Sequence, residues 1–210
     1  MSLIIPFGSA CRVRQAIENY KGHTGVTHLF DWNLTNFATI LYCVKNINIP
    51  FVEDEWYDLN EICTTNTRVV AHKEYKFKSA HDFPTHKTYQ EYMPIFLEKY
   101  NRRKKRLKKL FMNTNVIHLI HFLATDFGDI DRPDPTQVVE LYHAIKNINP
   151  NHKIHLHILI RPDQEKDEVF DRLAVNKYVH IHYMKRIGEY VENEHFGGAN
   201  WNWCEIFDNL

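Results

Sequence analysis

A single α/β domain over residues 1–210, three-layered with helices on both faces of a mostly parallel sheet, is the fold class that this sequence predicts. Three observations carry the prediction. The chain opens as a strand, a tight turn and a helix; its second half alternates strand-like and helix-like periods; and 210 residues with 44% hydrophobic content suffice for one domain with a full core.

The opening unit is Leu3 to Phe7, an apolar run closed by Gly8, followed by Arg12 to Tyr20 with Val13, Ala16, Ile17 and Tyr20 at helical spacing. In an open α/β sheet that turn falls at the carboxyl end of a strand, where ligands bind and where the helix start presents unpaired N–H groups. Asn33 to Asn46 repeats apolar positions at Leu34, Phe37, Ile40, Leu41 and Val44, which predicts a second helix after the Leu29-Phe30-Asp31-Trp32 segment. Residues 47–83 carry only short mixed runs: Thr67 to His72 reads as a small strand, and His81-Asp82-Phe83-Pro84 as the loop that follows. Thr88 to Met112 predicts a long helix with a Thr88/Glu91 capping box, while Pro94 calls for either a later start or a kink. Alternation is clearest in the second half. Val116 to Leu123, Ile154 to Ile160 and Val179 to Met184 read as strands, separated by helices over Thr136 to Asn147 and Glu168 to Ala174. Asp134, Pro135 and Gln137 supply the cap, first position and box of the first of these helices. Phe196, Trp201, Trp203 and Phe207 suit a tail that packs against the body.

Lysine plus arginine equals aspartate plus glutamate at 26 each, so net charge gives no long-range pull toward nucleic acid or an anionic membrane. No run approaches the roughly 20 apolar residues that span a bilayer, and Met-Ser-Leu-Ile-Ile-Pro is too short for a signal-peptide core, so the expected location is the cytoplasm. The four cysteines, at 11, 43, 63 and 204, lack the close pairs of a zinc ribbon and the density of a disulfide scaffold, and read as thiols.

Chemistry concentrates first at Cys11. A thiol at a helix start feels the positive end of the helix dipole, which favours the nucleophilic thiolate, and Arg12 and Arg14 add to that field. Such a nucleophile needs a base and a group to orient the base. His81 is the first candidate base, ahead of His28 and His72, and Asp31 and Asp82 are the candidate orienters. Ser9, Arg12, Trp32, Arg102 and Arg103 are the candidate substrate-binding residues, the arginines through bidentate contact with a carboxylate or phosphate.

These residues carry a resemblance. The strand and turn Ile4-Ile5-Pro6-Phe7-Gly8-Ser9-Ala10-Cys11, then Leu29-Phe30-Asp31-Trp32, then His81-Asp82-Phe83 and the basic run from Lys99 to Leu107, taken in that order, resemble an uncharacterised bacterial and viral family described as papain-like cysteine peptidases. The resemblance covers about the first 120 residues. It implies Cys11 as nucleophile, His81 as base, and Asp31 or Asp82 as the acid, acting without a cofactor on a small-molecule, peptide or glycan substrate. Members are similar to proteins found beside glycan-building enzymes, so a role on saccharides or their carriers is also implied. One departure concerns the strand from Val116 to Leu123: it carries His121 where the family pattern has an arginine, and it runs on into an acidic loop.

That loop supports an alternative. Asp129-Ile130-Asp131 has the Asp-x-Asp form in which two carboxylates hold Mn or Mg against a nucleotide-sugar diphosphate, as in a glycosyltransferase-like enzyme of glycan assembly. Aspartates also favour loops and helix starts for local reasons. A third reading is a non-enzymatic binding module that uses the basic helix 99–109, whose eight cationic side chains could grip phosphates; chain neutrality favours a solvated helix face instead, and nucleic acid is disfavoured as a partner. Finally, His155 pairs with His157 and His180 with His182 on alternate strand positions, so neighbouring strands could gather four imidazoles on one face. No cysteine or carboxylate set stands at ligand spacing beside them, and packed histidines under covering helices are expected. Oligomeric state is not read from the sequence.

Overall fold

The computed structural model describes all residues except 1, 9–10, 23–25, 64–65, 114, 124–132, 161–167 and 186–200. Strand β1 (Leu3–Pro6) leads through Gly8 into helix α1 (Cys11–Lys21). Then follow β2 (Asn33–Thr35), α2 (Phe37–Lys45), a 3-10 turn (Glu53–Glu55), β3 (Trp56–Ile62), β4 (Thr67–His72) and β5 (Phe77–Pro84). The long α3 (Tyr89–Phe111) precedes the alternating half: β6 (Val116–Leu123), α4 (Pro135–Ile148), β7 (Lys153–Ile160), α5 (Glu168–Asp171), β8 (Val179–Tyr183) and α6 (Trp203–Asp208).

These strands form two four-stranded sheets, one ordered β1-β6-β7-β8 and one ordered β2-β5-β4-β3. The first is parallel throughout, as the helix between each strand and the next requires. The second is antiparallel throughout and corrects the expectation of a mostly parallel sheet. Its strands come from residues 33–84, the stretch whose sequence period is weakest. Two local corrections belong to it. Asn33 to Thr35 pairs with β5 instead of opening α2, which starts after Asn36, whose Oδ1 accepts the Thr39 N–H at 2.9 Å. His81 to Pro84 is the end of a strand and not a loop. Neither segment alternates clearly enough to declare a strand, and pairing with β5 and β4 respectively makes them β-structure.

The expected caps are present. Thr88 and Glu91 close a box at the start of α3, and Asp134 and Gln137 close one at α4 with Pro135 at its first turn. Helix α3 runs on through Pro94. Losing one backbone bond there costs about 3 kcal/mol. The box upstream and the buried Met93, Phe96, Tyr100, Leu107 and Phe111 on one face offset that loss.

Alternation along β6 directs Ile117, Leu119 and Leu123 into a large core shared with α2, α3, α4 and the antiparallel sheet, while Ile120 and Phe122 join a second cluster with Val13, Ile17, Trp203 and Phe207 of α1 and α6. Each face of the parallel sheet is thereby covered, and β1 lies at its edge. No helix among the described residues is long and apolar enough to cross a membrane.

Candidate active site

The turn after β1 is tightly determined. Gly8 has φ +87°, and a Cβ there would stand 2.6 Å from Thr35 Oγ1 and 2.9 Å from Ile40 Cδ1, so only glycine fits. The Phe7 N–H donates to Ile120 O at 2.8 Å and the Phe122 N–H to Gly8 O at 3.2 Å, which ties both sides of the turn to β6. Cys11 follows as the first residue of α1 and is half-buried. All four cysteines are thiols, not disulfides. His121 flanks the same turn, with Nδ1 3.0 Å from Phe7 O and its ring edge-on to Phe37.

One helical turn after Cys11, Arg14 is buried and extends across to the segment that precedes β2. Its Nη1 donates to Val26 O at 2.9 Å and to Asp31 Oδ2 at 3.0 Å, while Glu18 engages its other face. Asp31 Oδ2 also accepts the His28 N–H at 2.9 Å; Oδ1 is buried and has no hydrogen-bond partner among the described residues. Burial raises the Asp31 carboxyl to about 6, against the His28 N–H, Arg14 and Arg103, which favour the anion.

Trp32, the next residue, sits at φ 62°, a left-handed conformation that is strained for a bulky side chain. Its ring meets His81 edge-on, with centroids 6.1 Å apart and planes at 74°. The Phe-Asp-Trp tripeptide is therefore a joint: Phe30 is buried in the core, Asp31 holds the helix that Cys11 begins, and Trp32 touches the histidine on β5. Burial lowers the His81 pKa, with Asp82 opposing, so the imidazole is neutral near pH 7 and can accept a proton.

Asp82 takes part in a different network. Along β4 the register advances from Arg68 to Val70 while β5 advances from Phe83 back to Ser79, a bulge that brings Ser79 and Asp82 onto one side. The Tyr100 hydroxyl lies 2.6 Å from Asn33 Oδ1, 3.0 Å from Ser79 Oγ and 2.7 Å from Asp82 Oδ2. Lys99 pairs with Asp82 Oδ1, and Arg103 Nη1 reaches Oδ2 at 3.0 Å. Burial pushes this carboxyl up, but Arg103, Lys99 and Tyr100 outweigh it and hold Asp82 below the usual range. Both aspartates are thus engaged by cations: Asp31 secures α1, and Asp82 secures β5 to α3.

Of the other base candidates, His28 is pushed down to about 4 by burial and by Arg14, Arg106 and Arg103, and its Nδ1 has no partner among the described residues. His72 lies in β4 among Trp56, Tyr42 and Tyr75 and accepts the Glu74 N–H at 3.2 Å. Arg12 places its guanidinium 5.7 Å from the Trp201 ring centre. Arg102 is exposed and pairs with Glu98 on the solvent side of α3, whereas Arg103 is buried against Asp82. The basic helix is half spent internally: Lys99 and Arg103 hold Asp82, Lys104 donates to Ile49 O at 2.7 Å, and Arg106 to Thr27 O at 2.8 Å. Ser9, Asp129 and Asp131 lie outside the described residues, and among those described no group of three His, Cys, Asp or Glu side chains is placed to hold a metal ion.

The chain matches no family model, no curated protein and no solved structure. Tyr100, Asn33, Ser79 and Thr35 are given no role at the site by the sequence, because their contacts are made with segments distant in the chain. Arg14, expected from the sequence to add to the field at Cys11, is engaged instead by Val26 O, Asp31 and Glu18.

Proposed function

We propose that the protein is a cysteine-nucleophile hydrolase or acyl transferase, with Cys11 as nucleophile and His81 as proton acceptor and donor. The observation that carries this reading is the Asp31-Trp32 joint, which connects the helix headed by Cys11 to the strand bearing His81, residues far apart in sequence. In the reaction His81 takes the Cys11 proton, and the thiolate adds to the substrate carbonyl carbon. N–H groups at the start of α1 stabilise the oxyanion. Collapse breaks the bond to the leaving group, which takes the proton from the His81 imidazolium and leaves a thioester on Cys11. Water, or an acceptor hydroxyl or amine, deprotonated by His81, then releases the acyl group.

Asp31 and Asp82 serve this scheme as positioning residues, through Arg14 and through the Tyr100–Arg103 cluster. Arg12, the neighbour of Cys11, and Trp32, whose ring meets His81, are the substrate-binding residues of this scheme, and Arg103 acts through Asp82. The resemblance in sequence to an uncharacterised family described as papain-like cysteine peptidases agrees with this reading, as does a parallel sheet with helices on both faces and Cys11 just beyond the carboxyl end of β1. Thiol chemistry of this kind fits a reducing cytoplasm, and a peptide or an acylated glycan fits as substrate class.

The test is the pH profile of iodoacetamide alkylation at Cys11. Alkylation of Cys11 that is faster than that of an ordinary thiol between about pH 7 and 8, slowed in His81→Asn and retained in His72→Asn, is expected. An ordinary thiol profile with midpoint near 8.5, unchanged by His81→Asn, overturns the scheme.

A further inference from the structure

Two rows of imidazoles lie on the α1 face of the parallel sheet, away from the Cys11 turn. The register sets His118 opposite His155 and His157 opposite His180, and alternation puts these four and His182 on the side of Ile120, Phe122, Leu159 and Met184. In one row His118 Nδ1 is 2.9 Å from His157 Nε2, and His157 Nδ1 is 2.9 Å from His182 Nε2. In the other, His155 Nδ1 is 2.9 Å from His180 Nε2. The rows stack: His157 and His180 lie with centroids 4.6 Å and planes 13° apart, and His118 and His155 at 5.3 Å and 22°. Ring nitrogens face one another in pairs and do not converge in threes, so the array is shaped to share protons and not to hold a metal.

Each nitrogen pair holds one hydrogen as an N–H···N bond. In the longer row, three neutral rings supply three hydrogens: two sit in the pairs, and the third sits on an end nitrogen, His182 Nδ1 or His118 Nε2. His118 Nε2 is buried and has no hydrogen-bond partner among the described residues, so the half-buried His182 end takes that hydrogen. One added proton fills the other end. A further one forces two N–H groups into the same pair, which breaks the bond and sets two cations side by side. The shorter row saturates in the same way.

We propose that these five histidines are an acid-operated clasp on the edge strand β8: neutral, they bind β8 to β7 and β6 through shared protons, and protonation beyond one added proton per row releases it. The surroundings favour this. Among the described residues, the charges that act on the array are those of the rings on one another, of Lys21 at the end of α1 and of His152 beside His155, and Tyr178 packs its ring on His155 at 5.4 Å. Burial, with mutual repulsion, holds His118 at about 4 and His157 at about 2, and lowers His155, His180 and His182 as well. From β8 the chain passes Met184, whose N–H donates to Ile160 O at 2.9 Å, and Lys185, whose carbonyl accepts the Asn202 N–H at 3.1 Å; α6 follows and packs on α1 through Phe207 and Tyr20. Release of β8 thereby loosens the cover of α1. A resulting acid brake on Cys11 would rest on the function proposed above; the clasp does not.

Amide hydrogen exchange of the full chain at pH 7.5 and pH 5.0, corrected for intrinsic rates, is the test. Protection of β8 should fall by about tenfold per pH unit for each proton taken up on opening, while β1, β6 and α2 keep theirs. His182→Gln and His180→Gln together should remove the difference. Should that variant fail to fold, nitrogen NMR of the unaltered protein at pH 7.5 should detect coupling across the His157–His182 bond. Unchanged protection at β8, an equal loss throughout the sheet, absence of that coupling, or zinc binding at pH 7.5 that protects β8 would each overturn the clasp. None of these readouts depends on the reactivity of Cys11.

Discussion

Replacing Gly8 with alanine probes the turn on which the proposed chemistry depends. Two separable costs follow from the geometry. Holding an alanine at φ +87° costs about 1–2 kcal/mol, since a Cβ is disfavoured there. Fitting that Cβ 2.6 Å from Thr35 Oγ1 and 2.9 Å from Ile40 Cδ1 adds about 1–3 kcal/mol of overpacking. Gly8→Ala should therefore lose about 2–5 kcal/mol, seen in urea denaturation as a midpoint lower by roughly 1–2 M at unchanged slope. Thr35→Ala removes the nearest atom, a buried hydroxyl with no hydrogen-bond partner among the described residues. In the double variant the steric part should shrink while the backbone part stays, giving a favourable coupling of about 1 kcal/mol or more. A loss under about 0.5 kcal/mol in Gly8→Ala, or strict additivity with Thr35→Ala, would refute the idea that this turn is fixed by close approach to β2 and α2.

Further expectations follow from the networks around it. Tyr100→Phe strips the hydroxyl shared by Asn33, Ser79 and Asp82 and should cost about 1–3 kcal/mol in thermal or chemical unfolding, because those groups stay buried. Arg103→Met leaves Asp82 short of its nearest buried cation and should cost about 3–5 kcal/mol, whereas Arg102→Met, on the exposed face, should stay within about 0.5 kcal/mol; equal effects would contradict the assignment. His28 titrates at about 4 in the fold against 6.5 unfolded, so its stabilisation is complete above pH 6.5 and is lost as pH falls toward 4. Compared with His28→Asn, the wild-type protein should lose roughly 2–3 kcal/mol more across that window, and parallel stability curves for the two would rule it out. Cys43 is fully buried, with its thiol pushed up to about 12 by burial, and should resist iodoacetamide in the native protein while exposed Cys204 reacts; native labelling of Cys43 would show a core looser than described.

Arg14 and Arg103 illustrate how one residue type divides between roles. Each is a buried cation against a buried carboxylate, and each joins a helix to a strand or its approach. Removing one partner is costly because the other charge stays behind without compensation, whereas the intact pair adds little net stability. Their value here is positional: the Asp31 pair fixes where α1 begins, and the Asp82 pair fixes the bulged end of β5 beside His81.

The sequence by itself determined what is encoded within one or two turns of chain. The β1–Gly8–α1 opening, the parallel strands Val116–Leu123 and Val179–Tyr183, and the caps at Thr88 and Asp134 all follow from periodicity and local hydrogen bonding, which act between near neighbours. Tertiary structure alone decided the antiparallel sheet. Of its strands, β4 (Thr67–His72) is legible in its own sequence, whereas β2, β3 and β5 are weakly patterned and become strands through partners elsewhere in the chain. It also decided which charges are spent. In the sequence, the residues from Lys99 to Lys109 look like one basic stripe; in the fold, Lys99 and Arg103 answer Asp82, Lys104 and Arg106 answer backbone carbonyls, and Arg102 faces water. Periodicity can say which side of a helix is apolar, but the partner of a buried charge is set by whatever distant segment the fold brings against it, because a charge removed from water must be met by another group.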